Sequence, residues 1–378
     1  MKKINVGIVF GGVSAEHEVS IKSAISIIKN LKLNKYHPIP IYVDIKGNWN
    51  VIDLLAGSND LILYLQKCIS EIKNQLQDNN KTSYFIDSNK LKQLVDVILP
   101  IIHGKTGEDG IMQGFFELLN LPYVSSNVVS SSITMDKEFT KILLKEKGIQ
   151  VVPYISIKEY QYNDKEKKND LIESIKKNFF FPIFVKPSNC GSSIGIQKVT
   201  NLDGLKKSIA NAFRYDNKIL IEQGIDAKEI EISVLENIED YEQPLVSIPG
   251  IIIPNDEFYT YEAKYIMKDG AKFEIPALID DNLSNSIRYQ AKNIFKILEC
   301  NCLARVDFFL ENNTNKLFFN EINTIPGFTE ISLYPKLLDD YGIIYSELLD
   351  KLIALSFKKH KHNNIKNHNS IDILNYVK

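Results

Sequence analysis

Cysteine is scarce in this sequence, with four among 378 residues. Cys68 and Cys190 stand alone, and Cys300-x-Cys302 lacks the two-residue gap of the usual zinc and redox pairs, so buried free thiols are expected. A dominant charge is missing too: 45 Lys and Arg against 47 Asp and Glu leave a formal net charge of -2. No global field then favours nucleic acid or an anionic membrane, and any anion site must be local. No run approaches the ~18 apolar residues of a membrane span. The apolar stretch at residues 4–10 meets glycine and charge too soon for a secretory segment, so a cytoplasmic protein without membrane or nucleic-acid partners is expected. Two common phosphate grips are absent as well. The first glycine of a Walker loop ending in Gly104-Lys105-Thr106 would fall on Leu99, and Gly7 with Gly11-Gly12 does not make G-x-G-x-x-G.

What is present is globular: 44% hydrophobic and 24% charged residues. The length exceeds what one core usually serves, so two or three packed units are expected. Residues 4–10 read as a strand ending at Gly11-Gly12, residues 15–31 as a helix, and residues 38–43 and 95–102 as further strands, giving a parallel α/β domain over 1–125. Within it residues 58–92 are polar, except for an amphipathic piece at 61–76, and read as an insertion. A central unit, 126–215, carries a helix at 136–147 and a strand at 181–186. From 216 to 357 longer strands at 219–222, 229–235, 244–249, 302–310 and 316–321, with a helix at 284–298, suggest a largely antiparallel α+β sheet. The basic, polar run at 358–378 reads as a disordered tail.

Three constellations carry chemistry. Lys186 ends an apolar strand and is followed by Gly191-Ser192-Ser193-Ile194-Gly195, whose backbone N–H groups can approach the phosphate that the ammonium reaches; a hairpin with a surface lysine is the alternative. Arg305-x-Asp307 and Glu321-x-Asn323 lie on two strands joined by a short connection. Residues two apart share a strand face, so pairing would gather two carboxylates and an amide oxygen, the hard donors Mg²⁺ prefers. Gly11-Gly12-Val13-Ser14-Ala15-Glu16 and His103-Gly104-Lys105-Thr106-Gly107-Glu108 follow buried strands, where sites in parallel sheets lie. Ser14 is expected to cap the following helix.

Taken together with Met135-Asp136-Lys137, Tyr261-Glu-Ala-Lys264-Tyr265 and Pro326-Gly327, these motifs resemble the D-alanine–D-alanine ligases of the ATP-grasp superfamily, from about residue 5 to 354. The resemblance implies a three-domain ATP-grasp architecture: an N-terminal Rossmann-like parallel-sheet domain and two α+β domains sandwiching ATP. It implies nucleotide contacts from Lys137, Lys186, Ser192, Glu222, Gln223, Ile225, Glu229 and Lys264, with Gln223 standing where some members have lysine. Asp307, Glu321 and Asn323 would bind two Mg²⁺ or Mn²⁺ ions. Glu16 and His103 would meet the first D-alanine, and Ser332 with the Leu333 backbone the second. Arg305 and the Gly327 N–H would stabilise an oxyanion, Ser192 would orient Glu16 and Tyr265, and residues 261–268 would cover the site. A homodimer is implied, and a ligase joining D-alanine to D-lactate is the alternative, against which Tyr265 argues.

Overall fold

A computed structural model of the chain describes residues 2–54, 60–75, 85–254 and 271–376. The N-terminal region runs β1 (Ile4–Gly11), α1 (His17–Asn30), β2 (Tyr36–Val43), β3 (Trp49–Val51), α2 (Leu61–Gln75), α3 (Ser88–Leu94), β4 (Val97–Pro100) and α4 (Ile111–Leu118). Then follow α5 (Val128–Met135) and α6 (Lys137–Glu146). The central region holds β5 (Tyr154–Lys158), α7 (Glu159–Tyr162), α8 (Lys165–Asn178), β6 (Ile183–Pro187), β7 (Gln197–Val199), α9 (Leu202–Ala212) and β8 (Lys218–Gln223). The last region holds β9 (Ala227–Leu235), β10 (Leu245–Val246), β11 (Gly250–Pro254), β12 (Ala271–Glu274), α10 (Asp281–Ile297), β13 (Leu303–Glu311), β14 (Leu317–Asn323), α11 (Leu333–Asp340) and α12 (Tyr345–Tyr376).

Three sheets result, ordered β3-β2-β1-β4, β5-β8-β6-β7 and β12-β11-β9-β13-β14, with β10 added to β9. In the first, β1 pairs in parallel with β2 and β4. Strand β1 therefore connects to one side through α1 while β4 lies on its other side, which opens a crevice at the carboxyl ends of β1 and β4. Val6, Ile8 and Phe10 point to one face with α1, α2 and α12, and Val9 points to the other with α3 and α4, as the period of two demands. The second and third sheets are antiparallel. Each is backed by helices on one face, α8 and α9 for the second and α10 for the third, and α11 covers part of the third sheet's opposite face at β9 and β11.

Four expectations change. The first sheet is not wholly parallel: Asp44 accepts from the N–H of Lys46 (2.8 Å) and Asn48 (3.0 Å), and this tight reversal returns β3 antiparallel to β2, since a connection this short cannot cross over. Of the 58–92 stretch read as an insertion, the described residues 60–75 and 85–92 join the core: Leu65 and Leu91 are fully buried, and Asp87 caps α3 by accepting from Lys90 N–H at 2.9 Å. The boundary expected at 215/216 moves to after Gln223, because β8 pairs with both β5 and β6 and so completes the central sheet. Finally, 358–376 continues α12. Leu348, Leu349, Leu352 and Ile353 bury one face of its first turns, each contributing about 1.5–3 kcal/mol, and neither Pro nor Gly interrupts the polar residues that follow. Lys359 reaches back to the Ser125 carbonyl (3.0 Å) and lies 4.3 Å from the Tyr123 ring.

Candidate active site

The crevice beside β1 is built by two loops tied together. Ser14 does not cap α1; its hydroxyl donates to the His103 carbonyl at 2.7 Å and accepts from Glu16 N–H at 3.1 Å, while Glu16 itself stands at the helix N-cap. Ser20 donates to the Ile101 carbonyl (2.6 Å) and accepts from Gly11 N–H (2.8 Å), joining the ends of β1 and β4. Gly107 is required here, since a Cβ would sit 1.9 Å from the Ile102 carbonyl oxygen. Glu16 is buried, and the Ser192 hydroxyl from the glycine-rich loop donates to its carboxylate. Ser192 and Ser193 both hold left-handed backbone, at φ 50° and 58°, a strained conformation for serine that recurs at ligand-gripping turns.

The same loops hold the segment after β14. Glu108 accepts from Gly104 N–H (2.8 Å) and from Ile325 N–H (3.0 Å). His103 Nδ1–H donates to the Ile325 carbonyl at 2.9 Å, and its Nε2 faces the Ser23 hydroxyl at 3.3 Å. Burial lowers the His103 pKa against the pull of Glu16, so the ring is neutral and its one N–H is spent on Ile325. His103 thus lines the cavity and also steadies residue 325. Burial first, then the charge of Glu16, pushes the Glu108 carboxyl up to about 8, with the two amide donors pulling the other way.

Between the central and C-terminal sheets lies a second cavity, lined by Phe184, Lys186, Ser193, Glu222, Gln223, Ile225, Glu229, Phe309 and Glu321. Lys186 Nζ is 2.5 Å from Glu222 Oε2, and Lys141 Nζ, with no solvent exposure, is 3.1 Å from Oε1. Burial alone would raise the Glu222 pKa, but Lys141 and then Lys186 hold it below the usual carboxylate range. The Gln223 side chain is turned to the chain before β6, accepting from Phe180 N–H (2.9 Å) and donating to the Phe180 carbonyl (2.8 Å). Asp136 caps α6 and accepts from the Ser188 hydroxyl (3.0 Å), and Lys137 Nζ donates to the Cys190 carbonyl (2.7 Å), so the start of α6 fixes the glycine-rich loop.

The carboxylates expected at a metal lie where strand geometry puts them. Across three strands, Glu231, Asp307 and Glu321 are register partners in one row, and Ser233, Arg305 and Asn323 form the next. Asn323 Nδ2 donates to Asp307 Oδ2 at 3.1 Å, leaving its carbonyl oxygen as a donor atom for a cation. Like charges on neighbouring strands repel. Here they are met by the chain's own cations: Arg305 donates to both Asp307 oxygens (2.8 and 2.7 Å) and lies 3.0 Å from Glu231, while Lys137 Nζ is 3.5 Å from Glu321. Two carboxylates and an amide oxygen on one face fit a divalent ion that keeps other positions for phosphate and water. The first cavity, lined by Glu16, Ser192, Arg305, Asn323, Gly327, Ser332 and Leu333 among others, also contains Glu321. That residue therefore stands on the wall common to both cavities.

Among the expected site residues, Lys264 and Tyr265, with the 261–268 cover, lie outside the described residues. The others fall on the walls of one or the other cavity, apart from Lys137, which lies 3.5 Å from Glu321, and Asp307, which lies behind the wall against Arg305 and Asn323. Three residues that contact the site residues escaped the sequence reading: Glu108, quoted in a motif without a role; Glu231, two residues from Glu229 and so on its strand face; and Lys141, one helical turn beyond Lys137.

A cleft between two antiparallel sheets, sharing the Glu321 wall with a cavity at a parallel-sheet crevice, is the architecture of an ATP-grasp enzyme. The family model for the D-ala D-ala ligase N-terminus matches residues 5–126 and that for its C-terminus residues 143–354. A D-alanine–D-alanine ligase of Caldicellulosiruptor bescii is 44% identical over 369 residues, 96% of this chain and 97% of that one. The structure of the D-alanine-D-alanine ligase from Coxiella burnetii superposes with a TM-score of 0.81 at 32% identity, covering 100% of both chains. The VanG D-Ala:D-Ser ligase from Enterococcus faecalis gives 0.78 at 31%, covering 94% of this chain and 100% of that one. The chain belongs to the D-alanine–D-alanine ligase family.

Proposed function

We propose that the chain joins two D-alanine molecules at the expense of ATP, releasing ADP, phosphate and D-alanyl-D-alanine for peptidoglycan precursor synthesis. The single observation that carries this reading is Glu321 on the shared wall: a group handling phosphate in one cavity stands beside the acceptor of the other. A carboxylate acylates poorly until it is phosphorylated, so the reaction needs adjoining nucleotide and amino-acid sites. Lys186, Lys137 and the N–H groups of residues 191–195 grip the phosphates, with Glu222, Gln223, Ile225 and Glu229 along the rest of the nucleotide. Asp307, Glu321 and Asn323 would hold Mg²⁺ or Mn²⁺, which neutralises charge on the phosphoryl group in transfer. Glu16, fixed by Ser192, pairs with the ammonium of the first D-alanine, whose carboxylate becomes an acyl phosphate. Ser332 and the first N–H groups of α11 receive the carboxylate of the second, as a helix N-terminus favours. Its neutral amine attacks the acyl phosphate, and Arg305 with Gly327 N–H stabilises the oxyanion. The sheltered junction keeps water from the acyl phosphate.

Exposed Ile111, Leu118 and Val129 on α4 and α5 support a homodimer. Among the described residues no helix is long and apolar enough to cross a membrane, which supports a cytoplasmic enzyme. Purified protein with ATP, Mg²⁺ and D-alanine should yield the dipeptide and one phosphate per bond formed, and adding D-lactate or D-serine should leave it the main product. A dominant ester, or phosphate release that ignores D-alanine, would overturn the reading.

A further inference from the structure

Glu222 carries two ammonium partners in a space closed to solvent: Lys186 at 2.5 Å and Lys141 at 3.1 Å. Among the described residues one carboxylate pairs with these two cations, and of the two lysines Lys186 alone lines the cavity; Lys141 stands behind, near the Tyr154 and Phe319 rings at 5.8 and 6.0 Å. A structural ion pair would need one lysine. We propose that Lys141 is a positioning residue that keeps Glu222 neutralised when Lys186 turns to a nucleotide phosphate, an inference that rests on reading this cavity as the nucleotide site. Without Lys141, Lys186 and Glu222 would form a closed neutral pair, and drawing the ammonium toward a phosphate would leave a buried carboxylate unpaired, which is strongly unfavourable. With it, the cluster keeps one positive charge in excess, and that excess is what an incoming polyphosphate meets. Lys141 thus acts on nucleotide affinity without touching the nucleotide.

The test is calorimetric binding of Mg²⁺-ATP and of adenosine to wild type, Lys141→Met, Glu222→Gln and the double variant. Lys141→Met should weaken ATP at least about tenfold while adenosine changes less than about threefold, because only the phosphate contact depends on freeing Lys186. Removing Glu222's charge should release Lys186 again, so the double variant should bind ATP like Glu222→Gln alone. That second comparison decides the matter even where Lys141→Met does not fold. Wild-type ATP affinity in Lys141→Met, equal losses for ATP and adenosine, or a further tenfold loss in the double variant would each overturn the proposal. Failure of the wild type to bind ATP would instead reject the nucleotide-site reading beneath it.

Discussion

Glu108→Gln separates the two demands placed on one buried carboxyl. In the folded chain the group is pushed from its ordinary 4.5 to about 8, by burial and then by Glu16. Ionising it inside the protein therefore costs about 5 kcal/mol more than in the unfolded chain. Between those two values the folded state holds a proton that the unfolded state has lost, so stability falls as pH rises. The contribution is fully present below 4.5 and gone above about 8. Glutamine is an isostere of the neutral acid. Near pH 5 the variant should unfold at almost the same denaturant concentration as the wild type, with a loss of about 1–3 kcal/mol at most, from the amide placed against one of the two N–H donors. Near pH 9 that order should reverse, the variant being the more stable by a few kcal/mol. Chemical denaturation at pH 5, 7 and 9 reads this directly, and parallel curves for the two proteins would refute the assignment. Activity measured above about pH 8 should move the other way: only the charged form satisfies both Gly104 and Ile325 N–H groups fully, so there the variant should lose dipeptide formation about 5- to 100-fold while D-alanine-dependent acyl phosphate, trapped with hydroxylamine, persists.

Glu321→Gln should reduce ATP-dependent phosphate release by at least about a hundredfold without changing the melting temperature much, since the side chain is partly exposed; unchanged release would remove the metal assignment. Asp350 would be raised by burial, but Lys32, Lys35 and Tyr36 hold it below its ordinary 3.8. Its support of α12 is present above pH 3.8 and lost as pH falls through the lowered value, so Asp350→Asn should erase part of the acid-unfolding transition and otherwise change little. Gly107→Ala places a methyl 1.9 Å from the Ile102 oxygen and should cost about 1–3 kcal/mol in thermal or denaturant unfolding, with KM for D-alanine rising because the 103–108 loop must shift.

The clustering of Asp307, Glu321 and Asn323 was legible because a strand's period of two is written in the sequence: Arg305 and Asp307, Glu321 and Asn323, needed only to be on strands. What no sequence spells out is which residue lies opposite on a third strand. Glu231 joins the row solely through the β9–β13 register, and Lys141 meets Glu222 only because α6 packs against the central sheet. The same limit misplaced the 215/216 boundary, since β8 is local in sequence to β9 but bonded to β5 and β6. The tail misled for another reason: its composition is polar, yet α12 is nucleated by the buried leucines before it, and tertiary packing carries a helix past the point where its own pattern ends.

The two cavities are assembled from different pairs of sheets, and that division bears on how an unstable intermediate could survive. The nucleotide side needs the central and C-terminal sheets to face each other, whereas the acceptor side depends on N-terminal loops holding residues 325–328. Glu108 and His103 grip Ile325, Ser23 accepts from Phe328 N–H at 3.3 Å, and Tyr345 donates to the Phe328 carbonyl at 2.6 Å. Gly327 lies inside that clamp, so its N–H is aimed by the N-terminal domain and by α12, not by the strand that bears Glu321. On the proposed chemistry, the oxyanion donor and the phosphoryl-transfer groups thus answer to different domain contacts. Loosening the Ile325 clamp should leave the acyl phosphate forming at its usual rate and then lost to water. Phosphate release would then exceed dipeptide formation, a stoichiometry that general destabilisation of the fold would not produce.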